Sequence, residues 1–181
     1  MSTSVFSLLV KRRFGPFFFT QFLGAFNDNV FRQALILLIA SGVVAGTEVN
    51  TLNNVALALF ILPFFLFSAL AGQLADKYDR AMLVRRIKLV EIFIMTFAAV
   101  GFFFNAVYFL LAVLFCMGLQ STFFGPIKYS IIPQHLPSRE LVSGNALVEM
   151  GTFLAILLGS ISGVLLKMDA ADPLIVSAVV V

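Results

Sequence analysis

The sequence predicts an all-α membrane protein built as a helical bundle. Three observations carry that prediction. Hydrophobic residues make up 61% of the 181 positions and charged ones only 12%, with 22 Phe and a mean hydropathy of +1.05, outside the range of a soluble domain. The apolar residues fall in runs near the roughly 20 needed to cross a hydrocarbon core about 30 Å thick. Stretches such as LALFILPFFLFSALAG do not alternate between apolar and polar positions, so they do not read as strands of a membrane barrel.

Residues 1–13 read as a basic amino-terminal segment and 14–181 as the bundle. The first span covers about 14–45 and ends before the polar patch 46–54. The second covers about 55–75 and stops at the charged segment 76–88. The third, about 89–104, turns near Asn105 into the fourth, about 107–124, where Gly125 and Pro126 are expected to break the helix. The fifth runs over about 141–166. A sixth starts at Pro173, and its nine residues to Val181 would rise only about 14 Å, half a bilayer, so the chain reads as part of a longer protein. The first apolar stretch follows Lys11, Arg12 and Arg13, but it is too long for a cleaved signal peptide and carries Asp28 and Arg32.

Charge placement orients the helices. With alternating directions, ten of the twelve Lys and Arg fall on one side: Lys11, Arg12 and Arg13; Lys77, Arg80, Arg85, Arg86 and Lys88; and Lys128 and Arg139. The positive-inside rule places that side, and the amino terminus, in the cytoplasm. The net charge of +3 calls for no nucleic-acid partner. The lone Cys116 excludes an intrachain disulfide and is expected to pack as a small hydrophobe.

The segment QFLGAFNDNVFRQALILLIA places polar and charged groups inside the first span. Asp28 and Arg32 are four apart and share a helix face, which Gln21 and Gly24 continue. A central Asp or Arg costs roughly 2.5 to 3.5 kcal/mol on insertion scales, so such residues pair or face a watery cavity. A structural ion pair is one reading. A polar surface in a transport path is the other, favoured because Asn27 and Asn29 add hydrogen-bonding groups beyond what pairing requires.

The stretch GQLADKYDRAMLVRR follows the second span. In it Gly72 would permit close helix contact, and Asp76 would pair with Lys77 or Arg80. It resembles the loop between helices two and three of the major facilitator superfamily, Gly-x-x-x-Asp-Arg/Lys-x-Gly-x-Arg/Lys-Arg/Lys. Gly72, Asp76 and Lys77 match; Asp79 stands at the Gly position, and Arg80 is followed by Ala81.

Further on, FFGPIKYSIIPQHLPSRELVSGNALVEMGTFLAILLGSISG joins the fourth span to the fifth. With QFLGAFNDN, its FGPIKYxIxPxxL pattern and the Gly144-Asn145-x-Leu147-Val148-Glu149 helix start, the chain resembles the bacterial lysophospholipid transporters of that superfamily. The branch includes members fused to an acyl-carrier-protein-dependent phospholipid acyltransferase. The resemblance covers about residues 21–163. It implies the amino-terminal six-helix half of a twelve-helix bundle, with the sixth helix truncated here, in the bacterial inner membrane. It implies lysophospholipid as substrate, moved from the outer to the inner leaflet, with membrane lipids, a carboxyl-terminal half and a fused or associated acyltransferase as partners.

Residue chemistry adds candidates to the path. Asn145, Glu149, Thr152, Ile156, Gly159 and Gly163 recur at three or four residues along one face. Gly159 and Gly163 form a small-xxx-small pair. Glu149 reads either as a partner for Lys128, Arg32 or a cationic headgroup, or as an interfacial carboxylate. Lys128 reads either as a point charge for a lipid phosphate or as a topology signal. The candidate path is thus Asn27, Asp28, Arg32, Lys128, Asn145 and Glu149, with Gly72, Asp76, Lys77 and Arg80 as a gating loop.

No catalytic residue, metal or cofactor is expected. His135 precedes Arg139 and Glu140 in HLPSRE, but the acid is Glu rather than the Asp of the His-x4-Asp acyltransferase pattern, and no soluble domain surrounds it. A carrier of small drugs or metabolites, and a membrane anchor for a fused enzyme, are the alternative functions.

Overall fold

The computed structural model describes residues 5–43 and 48–169. Its long elements are α1 (Gly15–Leu38), α2 (Glu48–Lys77), α3 (Arg80–Phe103), α4 (Val107–Ser130) and α6 (Leu141–Asp169), with the one-turn α5 (Ile132–His135) between the last two. At about 1.5 Å per residue, the 24 residues of α1, α3 and α4 each span about 36 Å, enough to cross a bilayer. A 3-10 turn, Val5–Val10, precedes α1, and a π turn, Ile39–Val43, extends it. The expected sixth span, 173–181, lies outside the described residues.

Many large apolar side chains face outward, as a lipid solvent allows, while some polar ones are buried among the helices. Phe65 of α2 is 84% exposed, whereas Gln21 is 2% exposed and Gln120 6%. By length and hydropathy α2, α4 and α6 qualify as membrane spans on their own. The other two long helices carry the polar load: α1 holds Gln21, Asn27, Asp28, Asn29 and Arg32, and α3 holds Lys88 and Glu91. Cys116 is a free cysteine, exposed on α4.

Several element ends differ from the sequence reading, each for a local reason. The polar patch before α2 is helical from Glu48, because Leu52 and Ala56, one turn apart, are buried in the core. The third helix begins at Arg80 rather than near 89: the Asp79 side chain accepts the Met82 N–H at 2.8 Å, an N-cap that starts the helix among its basic residues. The fourth helix does not break at Gly125 and Pro126 but continues to Ser130. Pro126 forfeits one backbone bond, and the helix resumes around the buried Ile127, whose carbonyl accepts from Ile131 N at 3.0 Å. The expected turn at Asn105 is present. Asn105 takes φ 51°, and the bonds Ala106 N to Gly101 O and Asn105 N to Phe102 O close the end of α3.

The helices form two groups. α1 lies along α6, while α2 and α3 both pack on α4. On the first seam Gly159 and Gly163 face α1. A Cβ at Gly159 would run into the carbonyl oxygen of Phe26, and one at Gly163 would lie 2.8 Å from Gln33 Cβ, so the small pair sets the helix separation. One apolar cluster includes Phe31, Leu35, Leu110 and Leu114; a second includes Leu8, Phe14, Phe18, Ile132 and Val148. Between Phe18 and Phe31, one face of α1 carries the polar groups Gln21, Asp28 and Asn29.

Candidate functional site

That polar face borders a cavity of about 320 Å³ between the two helix groups. α1 contributes Gln21, Gly24, Asp28, Asn29 and Arg32. α3 contributes Lys88 and Glu91; α4 contributes Gln120, Ser121 and Lys128; α6 contributes Thr152 and Ile156. Phe60, Phe64 and Phe124 supply apolar wall.

Asp28 and Arg32 both line the cavity, yet each has a partner other than the other. Asp28 Oδ2 accepts from Ser121 Oγ at 2.9 Å, and its Oδ1 is closed off from solvent without a hydrogen-bond partner among the described residues. Arg32 donates to Asn29 Oδ1 at 2.7 Å and lies over the Phe60 ring, 5.7 Å from its centroid. The i, i+4 spacing placed the two charges on one face, as expected, but no ion pair joins them among the described residues.

Lys88, which the sequence reading assigned to a cytoplasmic loop, stands on α3 inside the cavity wall. It donates to Glu91 Oε2 at 2.6 Å and lies 4.6 Å from the Phe124 ring centroid. Gln120 donates to the same carboxylate oxygen at 2.6 Å. Glu91 was legible by the rule that singled out Asp28, an ionisable residue within an apolar span. Ser121 and Gln120 gave no such signal, because uncharged polar residues are common in membrane helices.

Lys128 enters from the α4 turn beyond Pro126. Its Nζ donates to Thr152 Oγ1 at 3.2 Å and lies 4.9 Å from the Tyr129 ring. Thr152 also approaches Gln21 Oε1 at 3.2 Å, so α1, α4 and α6 meet at this lysine. With Arg32, Lys88 and Lys128 against Asp28 and Glu91, the ionised cavity carries one surplus positive charge. It combines an anion-attracting side with one uncommitted carboxylate oxygen.

Other candidates lie elsewhere. Asn27 does not line the cavity. Asn145 is exposed and bonds to its own helix at Leu141 O, 3.0 Å away. Glu149 accepts from the Tyr129 hydroxyl and meets neither Lys128 nor Arg32 in a salt bridge among the described residues. Toward the end of α2, Gly72 has open space at its Cβ position, so among the described residues it mediates no close helix contact. Asp76 and Lys77 end α2 and Arg80 starts α3; among the described residues Asp76 forms no ion pair with either cation. Glu140 of HLPSRE is bound by Lys11 at 2.8 Å and Arg13 at 3.8 Å.

A family model described as Major Facilitator Superfamily matches residues 17–170, and the chain belongs to that superfamily. Among curated proteins it is similar to the lysophospholipid transporter LplT of Photorhabdus laumondii, 28% identical over 165 residues, 90% of this chain and 38% of the relative. It is similar also to the proteins of that name from Enterobacter sp. strain 638, at 31%, and Escherichia fergusonii, at 30%, each over 79% of this chain and 34% of the relative. The chain thus spans little more than a third of the length of these relatives. No solved structure matches it.

Proposed function

We propose that the cavity is the headgroup site of a carrier that moves lysophospholipid from the outer to the inner leaflet of the bacterial inner membrane. The amino terminus lies in the cytoplasm, and a carboxyl-terminal half completes the passage by alternating access. One observation carries this reading: Lys128 faces a cavity bordered by Asp28 and lacks a carboxylate partner within salt-bridge distance among the described residues, while aromatic rings form the adjoining wall. A phosphate would meet Lys128 and Arg32, an ammonium would meet the uncommitted oxygen of Asp28, and an acyl chain would follow the phenylalanines. Asp76, Lys77 and Arg80 at the cytoplasmic turn are positioned to exchange contacts with the second half as it rocks. The similarity to proteins named lysophospholipid transporters supports the substrate class.

The test is reconstitution of the full-length protein with labelled lysophosphatidylethanolamine, following its movement between leaflets. Asp28→Asn should lower that movement at least about tenfold at equal protein content, the scale of one lost charge-assisted contact. Wild-type rates in this variant would exclude Asp28 from the path.

A further inference from the structure

Ser121 sits between two acceptors. Its Oγ is 2.9 Å from Asp28 Oδ2 and 3.2 Å from Gln120 Oε1. A serine hydroxyl carries one hydrogen, so it can donate fully to only one of them. The Gln120 amide cannot resolve the contest by turning over. Its Nε2 faces Glu91 Oε2 at 2.6 Å, and a flip would set an amide oxygen against a carboxylate. Glu91 is in turn held by Lys88 at the same oxygen, also at 2.6 Å. The result is a continuous chain from α1 through α4 to α3, with one ambiguous hydrogen at its centre.

Each state of Asp28 settles that hydrogen differently. As a carboxylate, Asp28 takes the Ser121 hydrogen, and Gln120 Oε1 goes without it. As a carboxylic acid, Asp28 donates its own proton to Ser121 Oγ, and the Ser121 hydrogen turns to Gln120 Oε1. The other Asp28 oxygen has no partner among the described residues, so Ser121 is the hydrogen-bonded exit from this carboxyl group.

We propose that Ser121 and Gln120 form a one-hydrogen relay that couples the protonation and ligand state of Asp28 to the Lys88–Glu91 pair across the cavity. They are positioning residues. A hydrogen arriving at Gln120 Oε1 polarises the amide and strengthens its donation to Glu91, where it competes with Lys88 for one oxygen. Lys88 is then freer to turn toward an anion in the cavity. Among the described residues, the charged groups that line the cavity with Asp28 are Arg32 on its own helix, Lys88 and Glu91 on α3, and Lys128 on α4, and α2 and α6 present uncharged residues to it. The significance of the relay for transport rests on the carrier reading above, whereas its existence does not.

The test uses the full-length protein in detergent, labelled with 13C-glutamine, and records acid-minus-neutral infrared difference spectra without lipid substrate. The Gln120 amide carbonyl band, assigned by its absence in Gln120→Met, should shift with the same pH midpoint as the carboxyl band absent from Asp28→Asn. Ser121→Thr should keep the shift and Ser121→Ala should lose it. A Gln120 band that stays put in the wild type overturns the relay, without reliance on any Ser121 variant, and so does a shift that persists in Ser121→Ala. In proteoliposomes, Ser121→Ala should flatten the pH profile of lysophosphatidylethanolamine movement; a profile equal to wild type overturns the positioning role. If the wild type moves no lysolipid while the infrared shift is present, the carrier reading falls and the relay stands.

Discussion

Lys88 and Lys128 line the same cavity and meet its contents on different terms. Lys88 is tied to Glu91 at 2.6 Å, and their side chains are only 18% and 11% exposed. Lys128 has a threonine hydroxyl at 3.2 Å and an aromatic ring, and no carboxylate within salt-bridge distance among the described residues. A buried cation with its own counter-ion is largely satisfied before anything binds. One with a neutral hydroxyl at hydrogen-bond distance, and its nearest carboxylate influence, Glu149, beyond salt-bridge distance, keeps more of its field for a ligand. One lysine of the cavity is therefore compensated within its own helix, and the other has no carboxylate within salt-bridge distance among the described residues. Lys11, paired with Glu140 at 2.8 Å in the loop region, gives the same lysine–carboxylate chemistry nearer the surface.

The largest effect should come from breaking the inner pair. Lys88→Met leaves Glu91 charged and uncompensated, at a cost of about 3–5 kcal/mol of stability, readable by denaturant unfolding in detergent. Adding Glu91→Met should recover most of that loss. Equal losses in the single and double variants would mean that the pairing is not what Lys88 contributes.

Removing Lys128 sharpens the contrast from the other side. Lys128→Met should leave the unfolding midpoint nearly unchanged and weaken lysophosphatidylethanolamine binding by roughly ten- to a hundredfold, as expected for a lost hydrogen bond to a charged group. Unaltered affinity, or a stability loss matching that of Lys88→Met, would erase the distinction between the two lysines.

The smallest effect belongs to the somewhat more exposed Lys11–Glu140 pair, whose side chains are 30% and 15% exposed. The hydrogen bond from Lys11 holds the Glu140 carboxyl below its ordinary value of 4.5, helped by the charges of Lys11, Arg13 and Arg139 and opposed by partial desolvation. Because the folded value is depressed, the stabilisation is complete above the unfolded value and disappears as pH falls through the folded one. Lys11→Met should thus be slightly less stable than wild type at neutral pH, and the gap should close on acidification and shrink in high salt. A gap of constant size from neutral to acid pH would show that the lysine acts through packing instead.

Different parts of this molecule are legible in the amino-acid sequence to different degrees. The helical class, the five long helices and the turn at Asn105 follow from apolar run length and local punctuation. Helix ends followed less well, because Pro126 reads as a breaker in isolation but is tolerated where Ile127 is buried just beyond it. At the site, Asp28, Arg32 and Lys128 were legible as charges in or beside apolar spans. Lys88 was not: starting the third span at residue 89 left it outside, and the Asp79 cap that begins α3 at Arg80 brings it in. Asn145 and Glu149 share a stripe with Thr152, yet only Thr152 reaches the cavity, since their end of α6 extends past it.

Composition and run length alone determined that this chain is a membrane helical bundle, because a hydrocarbon solvent demands long apolar helices whose backbone bonds are satisfied within each segment. Helical spacing also determined that Asp28 and Arg32 share a face. Only the tertiary structure decided that Asp28 bonds to Ser121, that Lys88 meets Glu91 and that Lys128 has, among the described residues, no carboxylate within salt-bridge distance. Hydrogen bonds and ion pairs act over about 3 to 4 Å, and which helices come that close is set by interhelical packing, such as Gly159 against the Phe26 carbonyl, rather than by any one segment.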